Sequence, residues 1–227
     1  MADHSVFTKK HSEAVAKDKK AILEELNLPP AVIEFIRKYE KNIKVALITA
    51  LVVIVALEGY KKYTSVQIEK SSTLLYSALH AKDANQRIKL LNQVTKKYAR
   101  TGNGIWANIE LGHLAFKNGK FAKAASIYEA ALDKMSAKNP IRPLVQYSLA
   151  QAYENLDNVE KAKEAFLKLT DTAGFIGEGD LGLARIYERH GDPAQALTYY
   201  QEYVKLPGTQ PGPTKDLVLA KIAQLKK

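Results

Sequence analysis

The chain has 227 residues, with 34 Lys+Arg against 24 Asp+Glu for a formal charge of +10, and no cysteine. Disulfides, thiolate nucleophiles and cysteine-ligated metals are therefore excluded. Only 12 glycines and 8 prolines stand among abundant Ala, Leu, Lys and Glu, a composition that favours helices and predicts an all-α fold. A basic balance suits nucleic acid, anionic lipid or acidic protein. With no zinc-finger spacing and no RNP-type aromatic motif, no nucleic-acid partner is expected, and lipid headgroups or proteins remain.

Residues 1–42 read as a polar tail ending in a juxtamembrane amphipathic helix. Ala21–Leu28 predicts a short helix stopped by Asn27, Pro29 and Pro30. Val32, Phe35, Ile36, Tyr39 and Ile43 then form one apolar helical stripe, with Arg37, Lys38 and Lys41 opposite. This segment either lies on a membrane surface or runs straight into the span that follows.

Val45–Leu57 reads VALITALVVIVAL, without charge. Thirteen residues give about 20 Å of helix, short of a hydrocarbon core of about 30 Å. A helix apolar on every side has no face for water, however, and a repeat array has no deep centre to hide one. Lys44 can extend its head outward, and Tyr39, Tyr60 and Tyr63 can sit at the two interfaces. A transmembrane helix is predicted over 43–63. Cations are slightly denser before the run (Arg37, Lys38, Lys41, Lys44) than after it (Lys61, Lys62, Lys70). The positive-inside rule thus leans towards a cytoplasmic N-terminus. The late position of the run and the absence of a cleavage site argue against a cleaved signal peptide.

Beyond residue 64 one pattern recurs. Leu111-Gly112, Ala115, Gly119, Ala124, Tyr128 and Leu132 match Leu149-Ala150, Tyr153, Asp157, Ala162, Phe166 and Leu169. Leu183-Ala184, Tyr187, Gly191, Ala196, Tyr200 and Tyr203 form the third copy. Ala124, Ala162 and Ala196 are 38 and 34 residues apart, and 34 is the tetratricopeptide period. The extra four residues fit a linker around Lys138-Asn139-Pro140. The pattern resembles the tetratricopeptide-repeat (TPR) family over about 105–206, which implies a right-handed helical solenoid. Repeats are expected at about 105–138, 143–176 and 177–206. Within that resemblance, Gly112, Ala150 and Ala184 are small where two helices cross, and Gly119 and Gly191 take a left-handed turn. Residues 64–100 read as a degenerate helix pair with Asp83 as a cap, and 213–227 as a capping helix.

The layout of a short tail, one span and helical repeats resembles the bacterial ancillary Sec translocon subunit family. That resemblance implies a single-pass protein of the bacterial inner membrane, with the N-terminus cytoplasmic and the repeat domain (64–227) periplasmic. It implies a non-catalytic protein–protein interaction module linking export to periplasmic folding, with translocon subunits and folding factors as partners. The alternative is a TPR scaffold for another envelope process, such as cell-wall synthesis, division or outer-membrane assembly.

Catalytic chemistry is not expected. Gly177-Glu178-Gly179-Asp180-Leu181-Gly182 matches G-x-G-x-x-G, but no strand precedes it, so a turn between repeats is expected there. The five histidines show no ligand spacing. No nucleophile stands with a base and an orienting group. No cofactor, metal or small-molecule substrate is anticipated.

Two surfaces are candidates instead. In the TPR family partners lie against the first helices of successive repeats. Carried over, those positions are Trp106, Ile109, His113, Phe116 and Lys117, then Leu144, Tyr147, Gln151, Glu154 and Asn155, then Glu178, Leu181, Arg185, Glu188 and Arg189. Trp106 and Phe116 either form an exposed hot spot or pack on the helix at 84–99. The second surface is the run Lys82, Arg87, Lys89, Lys96, Lys97 and Arg100, opposed by Asp83 alone, which suits anionic lipid or an acidic partner.

Overall fold

The computed structural model describes residues 29–207 and 211–226, so the expected helix at Ala21–Leu28 and the basic residues before it lie outside the described residues. The chain divides into two compact units, Met1–Thr64 and Ser65–Lys227. Among the described residues all regular structure is helical: α1 (Pro30–Lys38), α2 (Glu40–Leu79), α3 (Ala84–Lys97), α4 (Gly102–Lys117), α5 (Phe121–Lys134), α6 (Arg142–Asn155), α7 (Val159–Thr170), α8 (Ile176–Arg189), α9 (Pro193–Lys205) and α10 (Pro213–Leu225).

In the first unit α1 begins on Pro30, whose missing N–H costs nothing in a first turn. It ends at Tyr39, which leaves helical geometry (φ −109°, ψ 17°) while its N–H still reaches the Phe35 carbonyl. The apolar stripe therefore does not run uninterrupted into the long helix that follows; Tyr39 breaks it, and the Phe35 and Tyr39 rings meet at 4.9 Å. From Glu40 onward α2 is long and apolar enough to cross a membrane, with mean hydropathy 2.1 in its most apolar window. The large apolar residues from Val45 to Leu57 are each 49–65% exposed. At its start Lys44 pairs with Glu40 at 2.5 Å.

In the second unit the residues of α2 from Ser65 pack against α3 and α4. Leu75, Ala78, Leu91, Val94 and Ala107 form one buried cluster. Asp83 caps α3 by accepting from the Gln86 N–H at 2.7 Å, a bond typically contributing about 1 kcal/mol. Thr101, Asn158 and Asp192 cap α4, α7 and α9 in the same way.

Three helix pairs follow, each turned by one residue in the left-handed region: Gly119 (φ 70°), Asp157 (φ 56°) and Gly191 (φ 80°). Glycine adopts that conformation freely; aspartate is among the few other residues that tolerate it. Small residues set the crossings. A Cβ on Gly112 would lie 2.5 Å from the Tyr128 ring, and Ala124, Ala150, Ala162, Ala184 and Ala196 have no exposed surface. The longer spacing between the first two pairs is taken up by the loop after Met135. There Arg142 donates to the carbonyls of Leu132 (2.7 Å) and Met135 (3.0 Å), closing the end of α5. Helix α10 closes the array by burying Val218 against Ala184, Ala196 and Tyr200.

The G-x-G-x-x-G segment is not the turn expected from sequence. It lies inside α8, where its glycines are packing residues. A Cβ on Gly179 would meet the Thr170 nitrogen at 2.8 Å and the Phe166 carbonyl at 2.9 Å, and one on Gly182 would meet the Phe166 ring at 2.3 Å. The motif is the track along which α8 approaches α7.

Candidate interaction surfaces

The first surface is a cavity of about 300 Å³ between α4 and α6. Helix α4 contributes His113, Phe116 and Lys117; helix α6 contributes Leu144, Tyr147, Ser148 and Gln151. Between them Tyr128 of α5 rises from below, because Gly112 leaves room for its ring. The His113 ring lies 5.7 Å from that of Tyr128. Phe116 is held edge-on by Phe121 at 5.1 Å, and Tyr147 meets Phe166 edge-on at 6.2 Å. Leu144 is 43% exposed at the rim. The Tyr128 hydroxyl is kept neutral: burial, reinforced by the Glu110 charge, raises its pKa well above the ordinary tyrosine value, while a hydrogen bond with Ser148 acts weakly the other way. The cavity is thus a rigid aromatic floor with one cation, Lys117, at its edge.

Three residues expected on this surface are elsewhere. Ile109 is only 2% exposed and belongs to the central core, because the face of α4 that carries it packs inward. Trp106 is half-buried between the α2–α4 cluster and the central core, so it is a spacer between units of the array. Asn155 is exposed beyond the cavity and donates to the Gln151 carbonyl at 2.8 Å. Sequence reasoning missed Tyr128 as a cavity residue. The available signal was Gly112, whose missing side chain opens the path for the ring.

A second cavity of about 560 Å³ lies among α8, α9 and α10. It is lined by Leu181, Arg185, Glu188, Arg189, Tyr200, Thr214, Leu217, Val218 and Lys221. Its charges are paired within the protein. Glu154, whose side chain is 8% exposed, accepts from Arg185 at 3.1 and 2.9 Å and from Arg189 at 3.3 Å. Burial disfavours the Arg185 charge, but Glu154 more than offsets that and raises its pKa. Glu188 accepts from Tyr200 at 2.8 Å and from Lys221 at 2.5 Å. Burial opposes its ionisation, yet these two donors outweigh burial and hold its pKa below the ordinary glutamate range. Arg185 and Arg189 are therefore structural cations that join α8 to α6. Glu178 stands exposed in the first turn of α8.

Elsewhere on α8, Asp180 is buried, 5% exposed. Burial, and secondarily the Glu202 charge, pushes its pKa up to about 6.

Of the basic run, Lys82, Lys89, Lys96, Lys97 and Arg100 are exposed. Arg87 is not available for a ligand: its guanidinium donates to the carbonyls of Leu79 at 3.4 Å and Ala81 at 3.1 Å, tying down the turn before α3. No cluster of three or more metal-ligating side chains occurs among the described residues.

The comparisons with known proteins agree with this architecture. No curated protein matches the sequence. Among solved structures, BtubC (BKLC) from P. vanneervenii superposes with a TM-score of 0.55 at 17% identity, covering 87% of this chain and 84% of that one. A single-substitution variant of nearly identical TPR-like repeats from Podosopora anserina gives 0.50 at 18% identity, covering 71% and 84%. At such identities these likenesses show the fold alone. A repeat domain of this type is generally a non-catalytic scaffold for protein–protein interaction. Residues 34–227 match one family model over most of the chain, and the protein belongs to the family of the tetratricopeptide repeat-like domain.

Proposed function

We propose that this protein is a membrane-anchored interaction module that holds a protein segment in the cavity between α4 and α6. The observation that carries the reading is the convergence of His113, Phe116, Lys117, Leu144, Tyr147 and Gln151 on one cavity floored by Tyr128. Aromatic side chains fixed by their neighbours offer contact area at little entropic cost, which is the chemistry of binding hot spots. The anchor is the part of α2 around Val45–Leu57, supported by its hydropathy and by the exposure of every large apolar side chain on it. In water that surface is unfavourable; in hydrocarbon it is matched.

The finer reading follows the layout of the chain. The protein sits in a bacterial inner membrane with the repeats in the periplasm, beside the Sec translocon, and links export to folding. A photoreactive amino acid placed at Leu144 in living cells tests this, with Leu167, exposed on α7, as the control. Adducts from Leu144 and none from Leu167 are expected, and they should contain translocon subunits or periplasmic folding factors. Adducts made up of cell-wall or outer-membrane assembly proteins would move the scaffold to that process instead. Equal adducts from both positions would remove the cavity as the binding surface.

A further inference from the structure

Five lysines of the later helices, from α7 to α10, are committed to partners. Lys161, Lys163, Lys168, Lys205 and Lys221 each make an ion pair. Helix α3 differs. Its sequence, ANQRIKLLNQVTKK, contains no acidic residue. Asp83, before it, is engaged as the cap. Lys82, Lys89, Lys96, Lys97 and Arg100 are exposed, and no ion pair involves any of them among the described residues. Lys89 and Lys96 are two turns apart, so they share a face, and that face lies opposite the buried Leu91 and Val94. Lys96 and Lys97 also sit in the last turn, where they favour the helix dipole. That role does not account for Lys82, Lys89 or Arg100.

We infer that this face of α3 docks on the headgroups of an anionic bilayer, so that the repeat domain is held at the membrane by a second contact besides the anchor. The inference rests on the membrane reading of α2. Two features favour lipid over an acidic protein. Lys89, Asn92 and Lys96 form an exposed polar strip on one helix, outside the two cavities described above. In sequence the strip follows the apolar run that ends at Leu57, with Lys89 standing 32 residues beyond it. A cation near an anionic surface shifts the docked-to-free ratio about fivefold at low salt. Three lysines together shift it by about two orders of magnitude if they act independently. The effect is screened over a Debye length of about 8 Å at physiological ionic strength.

The chain has no cysteine, so Asn92→Cys gives a single labelling site on this face and Ser136→Cys a control on the exposed loop after α5. The full chain, carrying an environment-sensitive fluorophore at either position, is reconstituted into phosphatidylcholine vesicles with and without phosphatidylglycerol. A headgroup-spin-labelled lipid serves as quencher. Quenching at position 92 is expected only with phosphatidylglycerol. It should fade as salt rises and be weak at position 136. The triple change Lys89→Glu, Lys96→Glu and Lys97→Glu should abolish it with helical circular dichroism intact, and Lys→Gln at the same three positions should weaken it. Equal quenching in both lipids would overturn the inference, since the anchor alone would then explain the proximity. Absence of quenching in either lipid would also overturn it and favour an acidic protein partner. A chain that does not float with phosphatidylcholine vesicles removes the anchor and this inference together. One that floats without charge-dependent quenching removes this inference alone.

Discussion

Replacing Gly182 with alanine sets two physical effects against each other. Alanine is the better helix former by about 1 kcal/mol, and Gly182 lies in the interior of α8. If the glycine-rich segment had no packing role, the substitution would stabilise the protein by about that amount. The geometry argues for the opposite sign. The new Cβ would lie 2.3 Å from two carbons of the Phe166 ring, and Phe166 is fully buried. The ring has little room to retreat, because Tyr147 meets it edge-on at 6.2 Å and the Arg185 guanidinium lies 5.8 Å from its centre. Overpacking of this kind costs about 1–3 kcal/mol, so after the helix-propensity gain a net loss of up to about 2 kcal/mol is expected. For a domain of this size that lowers Tm by about 2–4 °C per kcal/mol. Thermal melting of the full chain in mild detergent, followed by circular dichroism, reads it directly. Gly102→Ala is the control: a Cβ there would have nothing within 4 Å, and Tm should hold or rise slightly. In a Phe166→Ala background the ring is gone, and Gly182→Ala should become neutral or stabilising. A higher Tm for Gly182→Ala alone, or an unchanged effect without the ring, would refute the packing account.

Three further outcomes are expected. Asp180 has a folded pKa of about 6 against 3.8 in the unfolded chain, so the folded state binds the extra proton. Stability should therefore fall as pH rises from about 4 to about 6, and Asp180→Asn should remove a slope worth on the order of 1–3 kcal/mol, measured by urea titration at each pH. Glu154→Ala leaves Arg185 and Arg189 without their shared acceptor and should cost about 1–3 kcal/mol, whereas Asn155→Ala, on an exposed neighbour, should cost under about 0.5 kcal/mol; denaturant midpoints compare them. Single cysteines at Ser12 and Ser136 in cells with an intact inner membrane should react with an impermeant thiol reagent at 136 and not at 12; the reverse labelling would overturn the proposed topology.

The helical class and the repeat unit were legible because both rest on local spacing. The small residues at Ala124, Ala162 and Ala196 recur near the family period, and each is fully buried. The turn positions Gly119, Asp157 and Gly191 share one backbone conformation although only two are glycine; the aligned pattern, not the residue type, carried that information. Local spacing failed where a residue's partner is distant in sequence. The glycines of α8 read as a turn between repeats until Phe166 and Thr170 are seen against them. Arg185 and Arg189 look like free cations of a groove until Glu154, 31 and 35 residues earlier, is placed between them. Ile109 and Trp106 fall on the expected helix, but a stripe assigned from periodicity is wide, and packing decides which members of it face inward.

That last point bears on where a partner binds. The expected groove ran along all three first helices, from an apolar beginning to a charged end. The charged end is largely neutralised from within: Glu154 takes both arginines, and Glu188 takes Lys221 and Tyr200. A ligand carboxylate entering there would have to displace bonds already made, losing about as much as it gains. At the other end Phe116, Tyr128 and Tyr147 line the cavity, their rings held by Phe121, His113 and Phe166, and Leu144 stands exposed at the rim. Burying the apolar carbon of these side chains is favourable. On the proposed function, the free energy available to a partner is therefore concentrated between α4 and α6. An apolar or aromatic side chain, with a carboxylate placed to meet Lys117, is the chemistry that would use it.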